Sequence, residues 1–332
     1  MKCIQLIPEH VFFALRFFLA PFFTLILAKT LFELLAFNFL DLNQVLIQQV
    51  SGVQEISGVI QTNEIKARLL WATSVMVYFF IMVGFGAFIW NLLKSSETKL
   101  TLLIFVIIAS AISVVETSYL LNVESAESPI ASIFRFTFDA LSGSGLFTAN
   151  QLFIVHTTLD IINLIGFLVV PFGIVAGCCI MHEIPLTSHK DAEYFLGRSV
   201  QLKKLITGGS AVMVIGVIHM QLWLNWPLAF LGGAEDIIQL KSITLLICQY
   251  WGVSYSLIIA ALYVPSISYL SNQAKLALQQ GSDREQRKDP SKWLIENHMM
   301  FSPIASLPQI LTVIAPMLVG TFGSTLSDLV FY

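Results

Sequence analysis

With 332 residues, 56 % of them apolar or aromatic and 12 % charged, the chain carries about half the roughly 25 % charged fraction of a soluble globular protein. A mean hydropathy of +0.78 excludes disordered, collagenous and coiled-coil classes. A net charge of -3, from 18 Lys and Arg against 21 Asp and Glu, leaves no basic excess to suggest a nucleic-acid partner. The composition predicts an all-α, polytopic integral membrane protein with the lipid bilayer as its first partner.

About 20 apolar residues are needed to cross a hydrocarbon core of about 30 Å, because backbone groups in lipid must find partners within the helix. The first such run is 11–37, behind a short head that holds Lys2. It exceeds the roughly 7 to 15 residues of a signal-peptide core and no clear A-x-A site follows, so it reads as a span. Residues 42–61 space Leu46, Val50, Val53, Ile56 and Ile60 along one face and predict an external amphipathic helix. Further spans are predicted at 69–93, 100–121, 152–181, 204–230 and 243–264, making six in a bundle over residues 1–264. A charged cytoplasmic segment occupies 265–298 and a helical run occupies 299–332, its core at 299–322. That last run is long enough to span. However, Ile304, Leu307, Leu311, Ile314 and Leu318 lie on one side, so a docking helix and a seventh span both stay open, with Pro303, Pro308 and Pro316 kinking either.

Orientation follows from Lys and Arg, whose excess marks cytoplasmic loops. Twelve of the eighteen fall in the head, the second and fourth loops and the tail, against only Lys66, Arg68, Arg135 and Lys241 in the other loops. The N terminus is therefore expected in the cytoplasm, the membrane being a plasma or inner membrane. Trp71, Trp90, Trp223 and Trp226 fall near span ends, where an aromatic belt belongs.

Ionisable groups at membrane depth cost about 2.5 to 3.5 kcal/mol each, so their positions carry the functional information. Lys29 and Glu33 in span one, Glu116 in span three, His156 and Asp160 in span four and His219 in span five are all expected in the outer half, with Gln221, Asn225 and Gln249. Arg16 alone sits in the inner half, where it can snorkel. His156, Asp160 and Asn163 share one helical face, and a carboxylate beside an imidazole is a means of holding or passing a proton. Lys29 and Glu33 have the same spacing of four. The expectation is that Glu116, His156, Asp160, His219, Lys29, Glu33 and Gln249 line an outward-facing hydrated cavity. In span four, Gly173 and Gly177 form a G-x-x-x-G that permits close helix packing.

Other motifs give less. Cys3, Cys178, Cys179 and Cys248 have neither zinc nor disulfide-framework spacing. His182-Glu183 is not followed by the second histidine of a zinc-protease helix, position 186 being Leu. Ser142-Gly143-Ser144-Gly145 resembles, over four residues, the glycine-serine turn of rhomboid intramembrane proteases. Ser142 stands where that family has Gly, and a flexible external turn is the plainer expectation. A haem held by His156 and His219 needs matched depths, whereas the two are offset by about two turns; no cofactor is assigned and no catalytic or metal residue is named. The function read from the sequence is transport or permeation of a small ion or proton-coupled solute. A membrane-embedded interaction subunit, binding a protein through 42–61 or 299–322, and an intramembrane enzyme are the alternatives.

Overall fold

The computed structural model describes residues 9–35, 58–94, 106–107, 110–111, 129–182, 191–231, 234–280, 289–299 and 307–323. The helices in chain order are α1 (Glu9–Leu35), α2 (Gly58–Lys94), α3 (Pro129–Gly143), α4 (Ala149–His182) and α5 (Ala192–Asn225). A 3-10 turn, Trp226–Phe230, continues α5, followed by α6 (Ala234–Gln280), α7 (Pro290–Glu296) and α8 (Leu307–Phe322). No strand occurs among the described residues. Five helices are long and apolar enough to cross a membrane: α1, α2, α4, α5 with its 3-10 turn, and α6. The protein is a multi-pass, all-α membrane protein. The expected span 100–121 lies outside the described residues apart from four helical positions, and so does 42–57 of the expected amphipathic helix; 58–61 is the first turn of α2.

The spanning helices overrun the apolar windows that announce them. At 47 residues α6 is roughly 70 Å long, more than twice the hydrocarbon core. It continues to Gln280 with Leu270 and Ala274 still fully buried near its end. Their cover includes α7, which starts with Pro290 at its first turn behind the capping carboxylate of Asp289, which accepts from Ser291 N at 3.0 Å. After α7 the chain is pinned twice: Lys203 Nζ of α5 donates to His298 O at 2.8 Å, and Ser271 Oγ of α6 donates to Met299 O.

The two ends of the bundle differ in chemistry. One, the tryptophan end, gathers Trp71, Trp223 and Trp226 with Phe136, Leu141 and Phe230 into a buried cluster. The other, the basic end, carries Lys94, Arg198, Lys203 and Lys292 over a second core built on Met82, Phe85, Leu202 and Leu205. Helix α5 is the centre, packed against α6, α2, α8 and α4, while α1 fills the side between α4 and α6. Helix α8 lies lengthwise on α5 and α6, with Thr312 beside Ser210, Met317 beside Ser256 and Gly320 beside Cys248. It runs parallel to α5 and antiparallel to α6. Gly252 and Gly320 make that approach possible, since a Cβ on either would stand 2.5 Å from a backbone oxygen of the facing helix.

Helix α3 crosses the tryptophan end. Pro129 opens it, and Phe136, Ala140 and Leu141 form its buried face. It closes in a turn at Ser142–Gly145, in which Gly145 has a φ of 68°, so Gly suits the position.

Candidate functional site

The polar residues at the tryptophan end fall into two groups, divided by α3. The first lies between α1, α3 and α4. Lys29 places its ammonium 5.7 Å from the centre of the Phe167 ring of α4, and Glu33, one turn along α1, accepts from Ile130 N of α3 at 3.4 Å. On α4, His156 Nδ1 and Asp160 Oδ2 meet at 3.0 Å with about two fifths of each side chain exposed. The edge of Phe138 packs against the His156 ring at 5.2 Å. Asn163, one turn further, has its Nδ2 buried without a partner among the described residues.

The second group lies between α2, α5 and the 3-10 turn, and it is far more enclosed. Glu64 is 4 % exposed and takes a hydrogen bond from Arg68 at 2.9 Å, the guanidinium also lying 5.7 Å from the centre of the Phe147 ring. The Trp226 indole faces the same carboxylate. Trp71, two turns along α2, sits at the middle, its ring centre 5.3 Å from Trp226, 5.4 Å from Trp223 and 6.1 Å from His219. His219 is 5 % exposed, flanked on its other side by Tyr78 at 5.7 Å, and its Nδ1 lies 3.1 Å from Ser74 Oγ.

This enclosure leaves hydrogen-bonding atoms unmatched. Glu64 Oε1, Trp226 Nε1, Trp71 Nε1 and His219 Nε2 are buried without a hydrogen-bond partner among the described residues, as are Asn225 Oδ1 and Thr244 Oγ1. Burying one such group unpaired costs roughly 1 to 3 kcal/mol, and native interiors rarely leave several together. The first four lie along one chain of side-chain contacts, Glu64 to Trp226 to Trp71 to His219, whereas Ser199, Ser266 and Gln309 have unmatched atoms elsewhere in the bundle.

Inward of Tyr78 the chemistry changes. The Phe85 ring fills the space between α2, α4 and α5, where Gly173, Gly208 and Gly209 leave room for it. Beside it is a cavity of about 40 Å³ lined by apolar side chains, among them Leu205, Met213, Ile258 and Leu262. Its volume would admit a water molecule, but its walls offer no polar partners, so it is expected to be dry.

The other expected site residues are placed as follows. Gln249 is exposed on α6, its backbone against Gly320. Glu116 lies outside the described residues. Gly173 and Gly177 receive side chains, Phe85 and Leu262 respectively, while the close backbone approach in this bundle occurs at Gly252 and Gly320. Among the described residues no three His, Cys, Asp or Glu side chains gather as a metal site would require. The sequence reading did not single out Glu64, Arg68, Ser74 or Tyr78, and it took Trp71, Trp223 and Trp226 only as a belt. One signal was available: Glu64, Arg68, Trp71, Ser74 and Tyr78 recur at three and four residues, a single stripe on α2. Compared with protein-family models, curated proteins and solved structures, the chain matches none.

Proposed function

We propose that the protein transports a small ion or proton-coupled solute, using the polar groups of its tryptophan end as the binding region. The observation that carries this reading is the row of unpartnered buried atoms from Glu64 to His219, standing above the apolar seal at Phe85. A buried polar region sealed by packed side chains toward one end and covered at the other is what alternating access requires of an occluded state. Helix α3 covers the region as a lid, tied by Thr137 Oγ1 donating to Trp223 O at 2.7 Å. The excess of Lys and Arg at the opposite end favours an orientation with the site on the extracytoplasmic side and the N terminus in the cytoplasm.

Flux into proteoliposomes tests this. Replacing His219 by Leu, or Asp160 by Asn, is expected to reduce flux at unchanged folded yield; equal flux in both variants refutes the reading. An interaction subunit is the second reading, supported by the small share of α1 and α2 that is buried, 22 % of each apolar window. Such a subunit would tolerate both substitutions and co-purify with its partner.

A further inference from the structure

The row also constrains what it binds. Ser74 has one hydroxyl proton, which it donates to Trp71 O at 2.7 Å. The shorter of its two contacts takes that proton, so in the 3.1 Å contact with His219 Nδ1, whose role depends on the ring tautomer, the serine oxygen is assigned as the acceptor. The neutral imidazole then carries its proton on Nδ1 and presents a bare lone pair at Nε2, buried and without a partner among the described residues. Of these atoms the Glu64 carboxylate and the Trp226 indole N–H face each other, which leaves a donor, the Trp71 indole N–H, beside an acceptor, His219 Nε2. An anion needs donors only and would face the bare His219 nitrogen; a bare cation needs acceptors only and would face the Trp71 N–H group. A hydroxyl or amide group satisfies both kinds at once.

We infer that this row is a binding site for a small uncharged solute bearing hydroxyl or amide groups, with His219 Nε2 accepting the solute's proton and Trp71 Nε1–H donating to its oxygen. The inference rests on the transport reading and narrows its substrate to the uncharged class. Water shares the same hydrogen-bonding chemistry, and the test separates the two. The rings around the row add dispersion contact for the carbon skeleton of a solute, which water lacks.

The experiment pairs 15N solid-state NMR of histidine-labelled protein in lipid with stopped-flow light scattering of proteoliposomes, using glycerol and urea as probes. The His219 signals are identified by their absence in H219Q. The expected result is a ring protonated at Nδ1 whose Nε2 signal shifts saturably with glycerol or urea. Glycerol or urea entry should then fall to the protein-free level in H219L, with part of it restored in H219Q, whose side-chain amide can still accept. A ring protonated at Nε2 overturns the inference. So does an Nε2 signal that neither probe moves, which identifies the occupant as water. A saturable shift without solute entry keeps the site and refutes transport; proton or potassium flux that depends on His219, with no response to either probe, keeps transport and refutes the uncharged class.

Discussion

Helix α8 contains Pro316, and the structure shows how the break is repaired. Proline has no N–H, so the carbonyl four residues earlier, Thr312 O, loses its helical donor. Ser210 Oγ of α5 supplies one at 2.6 Å, and Ser256 Oγ of α6 accepts from Met317 N at 3.1 Å. In Ser210→Ala the Thr312 carbonyl is left unmatched in an apolar surround, costing about 1 to 3 kcal/mol. In Pro316→Ala the restored N–H reaches Thr312 O within α8, and the same Ser210→Ala change should cost less than about 0.5 kcal/mol, a surface-like effect. The coupling between the two positions is then about 0.5 to 3 kcal/mol, above the few tenths expected of independent sites. Hydrogen exchange over 307–322 in mixed micelles reads it: Ser210→Ala should speed exchange roughly 5- to 150-fold in the parent and little in the Pro316→Ala background. An equal effect of Ser210→Ala in both backgrounds refutes the reasoning.

Three further outcomes follow from the packing and the electrostatics. A Cβ on Gly252 or Gly320 falls about 0.9 Å short of an ordinary 3.4 Å contact with backbone that cannot rotate away. Each Ala variant should therefore speed α8 exchange, and the double variant should add less than the sum because the first Cβ already parts the helices. Gly84→Ala, whose Cβ meets nothing within 4 Å, is the silent control. Gly208→Ala puts a Cβ 2.5 Å from Phe85 Cδ2, so it should cost about 1 to 3 kcal/mol and be relieved by Phe85→Leu, read as melting temperature in detergent. On α3, burial holds the Asp139 carboxyl above its ordinary 3.8, with Arg135 opposing in part. A raised acid favours the folded state only while protonated. Wild type should therefore lose stability relative to Asp139→Asn as pH rises from the ordinary carboxylate value through the folded one, and melting curves at acid and neutral pH that show no such divergence refute it.

The spans were legible because bilayer thickness sets a length that apolar residues must meet, and five long helices coincide with five of the expected runs. Their ends were not legible, for reasons visible in particular residues. Glu64 and Arg68 pair at a spacing of four, so α2 runs unbroken through the charged turn at 64–68. Leu270 and Ala274 are buried near α7 rather than in lipid, so α6 runs on through a stretch whose composition reads as a charged loop. Helix α3 was missed because 15 residues with one buried face are too few for a span, and they sit between polar stretches. In α8 the prolines obscured what the facing serines restore: no signal within 307–322 reveals that Ser210 and Ser256, about 100 and 60 positions away, complete its backbone.

For the site, the same distinction separates depth from direction. Depth along a helix is a count of residues at about 1.5 Å each, so the sequence alone brings His156 and His219 to the same half of the bilayer. Direction turns by about 100° per residue, and which neighbour a side chain meets depends on how the helices are rotated against one another. Consecutive residues of α3 show the consequence: Thr137 reaches the Trp223 carbonyl beside the buried row, while Phe138 packs on the half-exposed His156. Two histidines in the same half of the bilayer thus stand by different faces of one helix. Contacts within a helix, such as His156 with Asp160, could be read from a spacing of four; those between helices, such as Ser74 with His219 across 145 positions, could not. The row from Glu64 to His219 depends on the second kind. A substitution on α2 that keeps depth but rotates the face, such as moving the Ser74 hydroxyl to position 75, is therefore expected to leave the span intact while freeing the His219 tautomer.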